Sequence, residues 1–212
     1  MVLQIEIFSD VICPWCFVGK RRLERAIVLL DGQHEVRVRW LPFQLNPNMP
    51  KEGMSRREYR TAKFGSWEHS KQLDAKVVAV GETEGIHFAF DRIERTPNTS
   101  DAHRLIWLAD QGGVQDAVVE ALFRAYFTDG RDISNRVGLL DVVAEAGLDR
   151  SKAENLLNGD GGLEAIKEAK ELSSRFRVGG VPFFIVDGKQ MLSGAQPPDA
   201  FLTMFRQSAG HG

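Results

Sequence analysis

The opening of the chain restricts the fold more than any other feature, because it reads strand, helix, strand. "VLQIEIF" alternates Leu3, Ile5 and Ile7 with other residues, the period of a half-buried strand. A helix follows to about Leu30, with Leu23, Ala26, Ile27 and Leu30 spaced i, i+3, i+4 and i+7 on one face. "EVRVRWLPF" then sets Val36, Val38 and Trp40 against Arg37, Arg39 and Leu41, a second strand. A helical crossover joins parallel strands most naturally, so this opening commits the chain to an α/β sheet.

Strand character returns only near the other end. "LEAIKEAKELSSRF" places Ala165, Ala169, Leu172 and Phe176 on one helical face. "GGVPFFIV", the turn at Asp187–Gly188 and "KQMLSG" read as a hairpin. A last helix begins near Pro198, with Ala200, Phe201, Met204 and Phe205 inward. Between the ends, "LNPNMPKEGMS" is a turn-rich boundary, and Ser55 with Glu58 forms a capping-box pattern that opens a run of helices. Only "IHFAF" interrupts that run as an extended piece. The expected class is therefore α/β, a mixed four-stranded sheet in the order β-α-β … α-β-β-α with an inserted all-helical domain. Residues 1–49 and 163–212 form the sheet domain, and residues 50–162 form the insertion.

Composition removes several function classes. With 43% hydrophobic and 26% charged residues in 212, the chain can bury a substantial core. A net charge of −2 leaves no global footprint for nucleic acid. The apolar runs fall short of a membrane span, so no membrane partner is expected. "MVLQIEIFSD" has neither a basic segment nor a cleavage pattern, and the expectation is a cytoplasmic protein.

Both cysteines of the chain lie in "CPWC", Cys13 to Cys16. Structural zinc needs four ligands, and the five histidines (His34, His69, His87, His103, His211) include no close pair, so no metal is expected. A permanent disulfide at this spacing would close a very short loop and constrain the unfolded chain little. A redox dithiol fits the local physics better. Pro14 suits the first helical position, so the helix start aims unpaired N–H groups and its positive dipole end at the Cys13 sulfur. Such placement favours thiolate over thiol. Cys16 lies one turn in, on the face of Gly19, Leu23 and Ile27, and is expected to be the more buried sulfur. Lys20, Arg21, Arg22 and Arg25 against Glu24 leave this helix net positive. In "GGVPFF", Pro182 opens a strand; it reads as an ordinary turn proline or as a cis Val181–Pro182 bond beside the cysteines, offering backbone groups to an extended substrate.

"FSDVICPWCFVGKRRLERA", "PNTSDAHRLIWLA", "GVPFFIVDGK" and "SGAQPPDAF", taken in order, resemble the DsbA-like thioredoxin-fold oxidoreductases, and within them the FrnE-like branch. The resemblance implies a thioredoxin-like fold with an inserted helical domain and dithiol–disulfide oxidoreductase or isomerase activity. It places the nucleophile on Cys13, the resolving thiol on Cys16 and the cis proline on Pro182. Pro14, Trp15 and Val181 would join Pro182 in binding substrate. The implied partners are protein thiols and disulfides or glutathione, the latter as co-substrate, with no tightly bound cofactor. Trp15 stands where the family's periplasmic oxidant has His, which removes one stabiliser of the thiolate. A sister group, the 2-hydroxychromene-2-carboxylate isomerases and kappa-class glutathione transferases, typically has Ser in place of Cys13. A glutathione-dependent isomerase or transferase is therefore an alternative, and a non-catalytic chaperone-like module a second one.

Further candidates are weaker. Asp10 is either a structural carboxylate or a proton relay to Cys16. Asn98 and His103 lie in "PNTSDAHRL", where Thr99 or Ser100 would cap a helix. His103 with Arg104 would either fill a domain interface or touch substrate. Trp15 is expected to be exposed beside Cys13, and Trp40, Trp107, Phe123 and Phe127 to be core.

Overall fold

The computed structural model describes residues 2–30 and 34–209. Strand β1 (Val2–Ser9) leads into α1 (Pro14–Val28) and β2 (Glu35–Pro42), and β1 pairs with β2 in parallel from Val2↔Glu35 to Ser9↔Pro42. Near the other end, α8 (Leu163–Arg175) precedes β5 (Phe183–Val186), β6 (Gln190–Ser193) and α9 (Pro198–Ala209). β5 runs antiparallel to β1, with Ile5 opposite Val186 and Ile7 opposite Phe184, and β6 pairs with β5. The order β2-β1-β5-β6 makes the mixed four-stranded sheet that the two chain ends implied.

Both faces of this sheet are covered. Leu3, Ile5 and Ile7 are at most 1% exposed and belong with Leu23 of α1 and Phe201 of α9 to the larger core. Phe8, Leu41, Phe183 and Ile185 pack on the other face with Ala169, Leu172 and Phe176 at α8. That second layer explains why Leu41, on the arginine side of β2, is buried while Arg37 and Arg39 are not.

Between β2 and α8 lie α2 (Arg56–Phe64), α3 (Trp67–Thr83), α4 (Ser100–Gln111), α5 (Gln115–Phe127), α6 (Arg136–Glu145) and α7 (Arg150–Asn158). This region is not wholly helical: β3 (Met54–Ser55) pairs with β4 (Arg95–Thr96) and ties the entry of α2 to the segment before α4. The extended piece expected at residues 86–90 is not a strand. There Phe88 and Phe90 stack at 4.9 Å and turn toward Phe127, and the backbone closes into a 3₁₀ turn over Phe90–Arg92. Aromatic burial overrides the strand propensity of those residues. Phe17 of α1 stacks on Phe123 at 5.2 Å and meets Phe88 edge-on, so the helical region is seated directly behind the start of α1. Ser55 accepts from the Glu58 amide, the first half of the expected capping box. Trp40, Phe123 and Phe127 are core, whereas Trp107 is only half-buried.

Candidate functional site

The site is built at the junction of β1 and α1. Cys13 is the residue immediately before α1, in extended conformation, and Pro14 occupies the first helical position without a missing bond. The Cys13 amide donates to Asp10 O at 2.9 Å and the Cys16 amide to Cys13 O at 3.0 Å, so the turn is closed by its own backbone. Cys13 is 5% exposed and Cys16 0%, and both are free thiols.

The Val181–Pro182 peptide is cis and meets this turn from the far end of the sequence. Cys13 Sγ donates to the Val181 carbonyl at 3.4 Å. Close approach is possible because Gly19 has no side chain: a Cβ there would stand 2.9 Å from Pro182 Cγ and 3.2 Å from the Phe184 ring. Burial pushes the Cys16 thiol well above its usual range, and the neighbouring Cys13 sulfur adds to this. The Ser9 hydroxyl and the Asp10 amide act on the same sulfur in the opposite sense. Ser9 carried no sequence signal, since it is simply the last residue of a strand.

Cys13, Pro14 and Trp15 form one edge of a cavity of about 360 Å³, within the range of small-molecule sites. Trp15 is 38% exposed at that edge. Leu73, Val77, Phe90 and Phe127 give the cavity an apolar wall, and Arg56, Arg60, Lys63 and Lys76 line it against one acid, Asp74. Arg56 binds Asp74 at 2.7 Å and Arg60 at 2.6 Å. Burial, with the like charge of Arg56, holds the Arg60 guanidinium below its usual range against the pull of Asp74. Lys63 donates to the Tyr59 hydroxyl at 2.6 Å, and Tyr59 in turn to Asn46 at 2.9 Å. The sequence signal for this group is the spacing of Arg56 and Arg60, one turn apart on α2.

The weaker candidates separate cleanly. Asp10 is fully buried; its Oδ2 accepts from the Leu45 amide at 2.8 Å and its Oδ1 lies 3.4 Å from His103 Nε2. His103, 2% exposed, therefore faces Asp10 rather than substrate. Arg104 does not reach the cavity either: it donates to the carbonyls of Leu156, Gly159 and Gly161 at the end of α7. Asn98 lines a second cavity with Lys51 and Arg136; its side chain donates to Met49 O at 2.7 Å and accepts from the Ser100 amide at 2.9 Å. Of the two caps expected, Ser100 is the first residue of α4 and Thr99 precedes it but makes no side-chain capping bond. The excess positive charge expected on α1 is cancelled by tertiary partners. Lys20 meets Glu24, Asp116 and Glu120, Arg21 meets Glu120, and Arg22 and Arg25 share Glu84. Among the described residues no group of three or more His, Cys, Asp or Glu could hold a metal ion, and His211 lies outside them. No described helix is long and apolar enough to cross a membrane.

A family model described as the DSBA-like thioredoxin domain matches residues 4–206. The chain belongs to that family. It is similar to a probable DsbA oxidoreductase, SCO1869, from Streptomyces coelicolor, at 30% identity and a TM-score of 0.90 over 99% of this chain and 91% of the other. It is 28% identical to the uncharacterized protein YwbO of Bacillus subtilis, over 95% of this chain and 94% of that protein. The cytosolic disulfide reductase DsbM of Pseudomonas aeruginosa, solved with GSH, shares the fold at a TM-score of 0.66 and 21% identity, over 97% of this chain and 98% of the other. Membership fixes a thioredoxin-type oxidoreductase fold, and within it the two free cysteines stand at the start of α1.

Proposed function

We propose that this member of the DSBA-like family is a thiol–disulfide oxidoreductase of the FrnE-like branch that works through Cys13 and Cys16. The Cys13 thiolate attacks a substrate disulfide; a Cys13–substrate S–S bond forms and the first substrate thiolate leaves. Cys16 then attacks Cys13, the intramolecular disulfide forms, and the second substrate thiolate leaves. The substrate gains two electrons and leaves as two thiolates that take their protons from solvent, the cysteine pair loses two electrons and the Cys16 proton, and the reverse sequence oxidises substrate thiols. Val181 and Pro182 present backbone to an extended substrate, and Pro14 and Trp15 border the approach to Cys13. The observation that carries this reading is the Cys13 sulfur at a helix start, bonded to the Val181 carbonyl and open to one cavity, with a fully buried second thiol one turn behind.

The cationic cavity wall supports glutathione as a candidate co-substrate beside protein thiols, because its carboxylates complement Lys63 and Lys76. The test is insulin-disulfide reduction with a dithiol donor. Cys13→Ser is expected to abolish turnover and Cys16→Ser to accumulate a mixed disulfide visible by intact mass. Full activity in Cys13→Ser would refute the proposal. Activity on a small electrophile with glutathione that survives Cys16→Ser would favour the isomerase or transferase reading instead.

A further inference from the structure

One face of α2 is built for something other than packing. Arg56, Tyr59, Arg60, Lys63 and Phe64 recur at i, i+3, i+4, i+7 and i+8, the spacing that ordinarily gives a helix its apolar, core-facing stripe. Here the stripe is mostly cationic, and all five residues line the cavity beside Cys13. From α3 come Leu73 and Val77, one turn apart, and Lys76.

The charges do not balance within the fold. Asp74 is the one acid in the lining, and Arg56 and Arg60 already share it. Those two guanidinium groups also lie over rings, Arg56 on Phe90 and Arg60 on Phe64, which fixes them in place. Lys63 donates to the Tyr59 hydroxyl, and neither Lys63 nor Lys76 has an ion pair among the described residues. Four cations against one acid leave three positive charges uncancelled. An occupant that carries an anion offsets them. The rest of it is apolar, because Leu45, Leu73, Val77, Ile93 and Phe127 make the wall it would cover. Val181 and Pro182 lie outside this lining. Cys13 therefore has two approaches, one along the Val181 backbone and one from a concave chamber of about 360 Å³, a size for small molecules.

We propose that this chamber is a subsite for a small thiol or disulfide whose apolar body ends in a carboxylate, and that Lys63 and Lys76 select for that anion. Protein substrates use the Val181 side. When the small molecule is a dithiol, one of its thiolates attacks Cys13 of the Cys13–Cys16 disulfide, a mixed disulfide forms, and Cys16 leaves and takes a proton. The second thiolate then attacks its own sulfur in the mixed disulfide and Cys13 leaves. The donor closes to a cyclic disulfide; it loses two electrons and two protons, and the cysteine pair gains both electrons.

The proposal rests on the two-cysteine reading above, and one pair of donors separates their failures. Dihydrolipoate and dihydrolipoamide share their thiols and aliphatic chain and differ only in the charge at the far end. With the oxidised protein and acid-quenched alkylation to count new thiols, dihydrolipoate is expected to react about tenfold faster at low salt, the scale of two exposed charge contacts. That preference should fall to within about twofold of unity in the Lys63→Gln/Lys76→Gln double variant and at high salt, where screening removes it. Equal rates in the wild type, or a preference that survives the double variant, overturn the proposal and leave the enzyme reading intact. Failure of both donors to reduce the pair overturns both. A second arm follows iodoacetamide labelling of Cys13 in the reduced protein. Octanoate is expected to slow it more than octanamide or S-methylglutathione do. Stronger protection by S-methylglutathione overturns the apolar half of the proposal and makes the chamber a site for a polar peptide thiol.

Discussion

Two buried aspartates lie near Cys13, one lining its cavity and one three residues before it, and their surroundings differ in kind. Asp74, at the cavity wall, holds a guanidinium on each oxygen, Arg56 at 2.7 Å and Arg60 at 2.6 Å. Asp10, under the turn, holds one backbone amide and faces one imidazole without a completed bond. The first carboxylate has a guanidinium on both oxygens; the second has one oxygen without a hydrogen-bond partner. The same side chain is thereby fully paired in one place and half-paired in the other, decided by what the fold brings against it.

The contrast is open to attack in order of expected effect. Asp74→Ala leaves the buried Arg56 guanidinium beside the partly buried one of Arg60, and breaking a buried ion pair costs about 3–5 kcal/mol, read as a fall in the urea midpoint. Gly19→Ala tests the site by packing instead of charge. The added methyl meets Pro182 at 2.9 Å, and overpacking of this sort costs about 1–3 kcal/mol. It should also slow the first thiol-exchange step by displacing the Val181 carbonyl from Cys13.

A pH series sharpens the picture on the sulfur side. In the unfolded chain Cys16 ionises near about 8.5, while burial keeps it protonated in the folded, reduced protein. Above that pH the unfolded state binds fewer protons, so stability falls as pH rises, by up to about 1.4 kcal/mol per unit for one proton. Cys16→Ala should flatten this slope in calorimetric scans. Asp10→Asn keeps an acceptor for the Leu45 amide and should cost only about 1 kcal/mol; a loss equal to that of Asp74→Ala would erase the distinction between the two aspartates. At the small end, the exposed Arg131–Glu145 pair holds Glu145 below its usual range through the Arg131 bond. Glu145→Gln should nevertheless leave the thermal midpoint unchanged, because solvent screens such pairs.

Much of the frame was legible in the chain because it is written locally. Alternation in Leu3, Ile5 and Ile7, the Asp187–Gly188 turn and the Pro14 helix start each depend on neighbours a few residues away. What the chain does not show locally has the opposite character. The interruption at Phe88 and Phe90 is fixed by rings that pack on Phe127, and the basic run of α1 takes counter-charges from Asp116 and Glu120 of α5. His103 is open to two readings from the sequence, an interface residue or a substrate contact, and its place opposite Asp10, 93 positions away, fits the first.

What the sequence alone determined is the chemistry available: two sulfurs one helical turn apart at the positive end of a helix, following a strand, in a chain of α/β character. Tertiary structure alone decided which charges are cancelled, which carboxylate oxygen is left without a partner, and which cavity opens beside Cys13. The reason is physical. Periodicity records which side chains face inward, but the partner a buried charge meets there comes from distant segments, and in a low-dielectric interior that partner decides how the charge behaves.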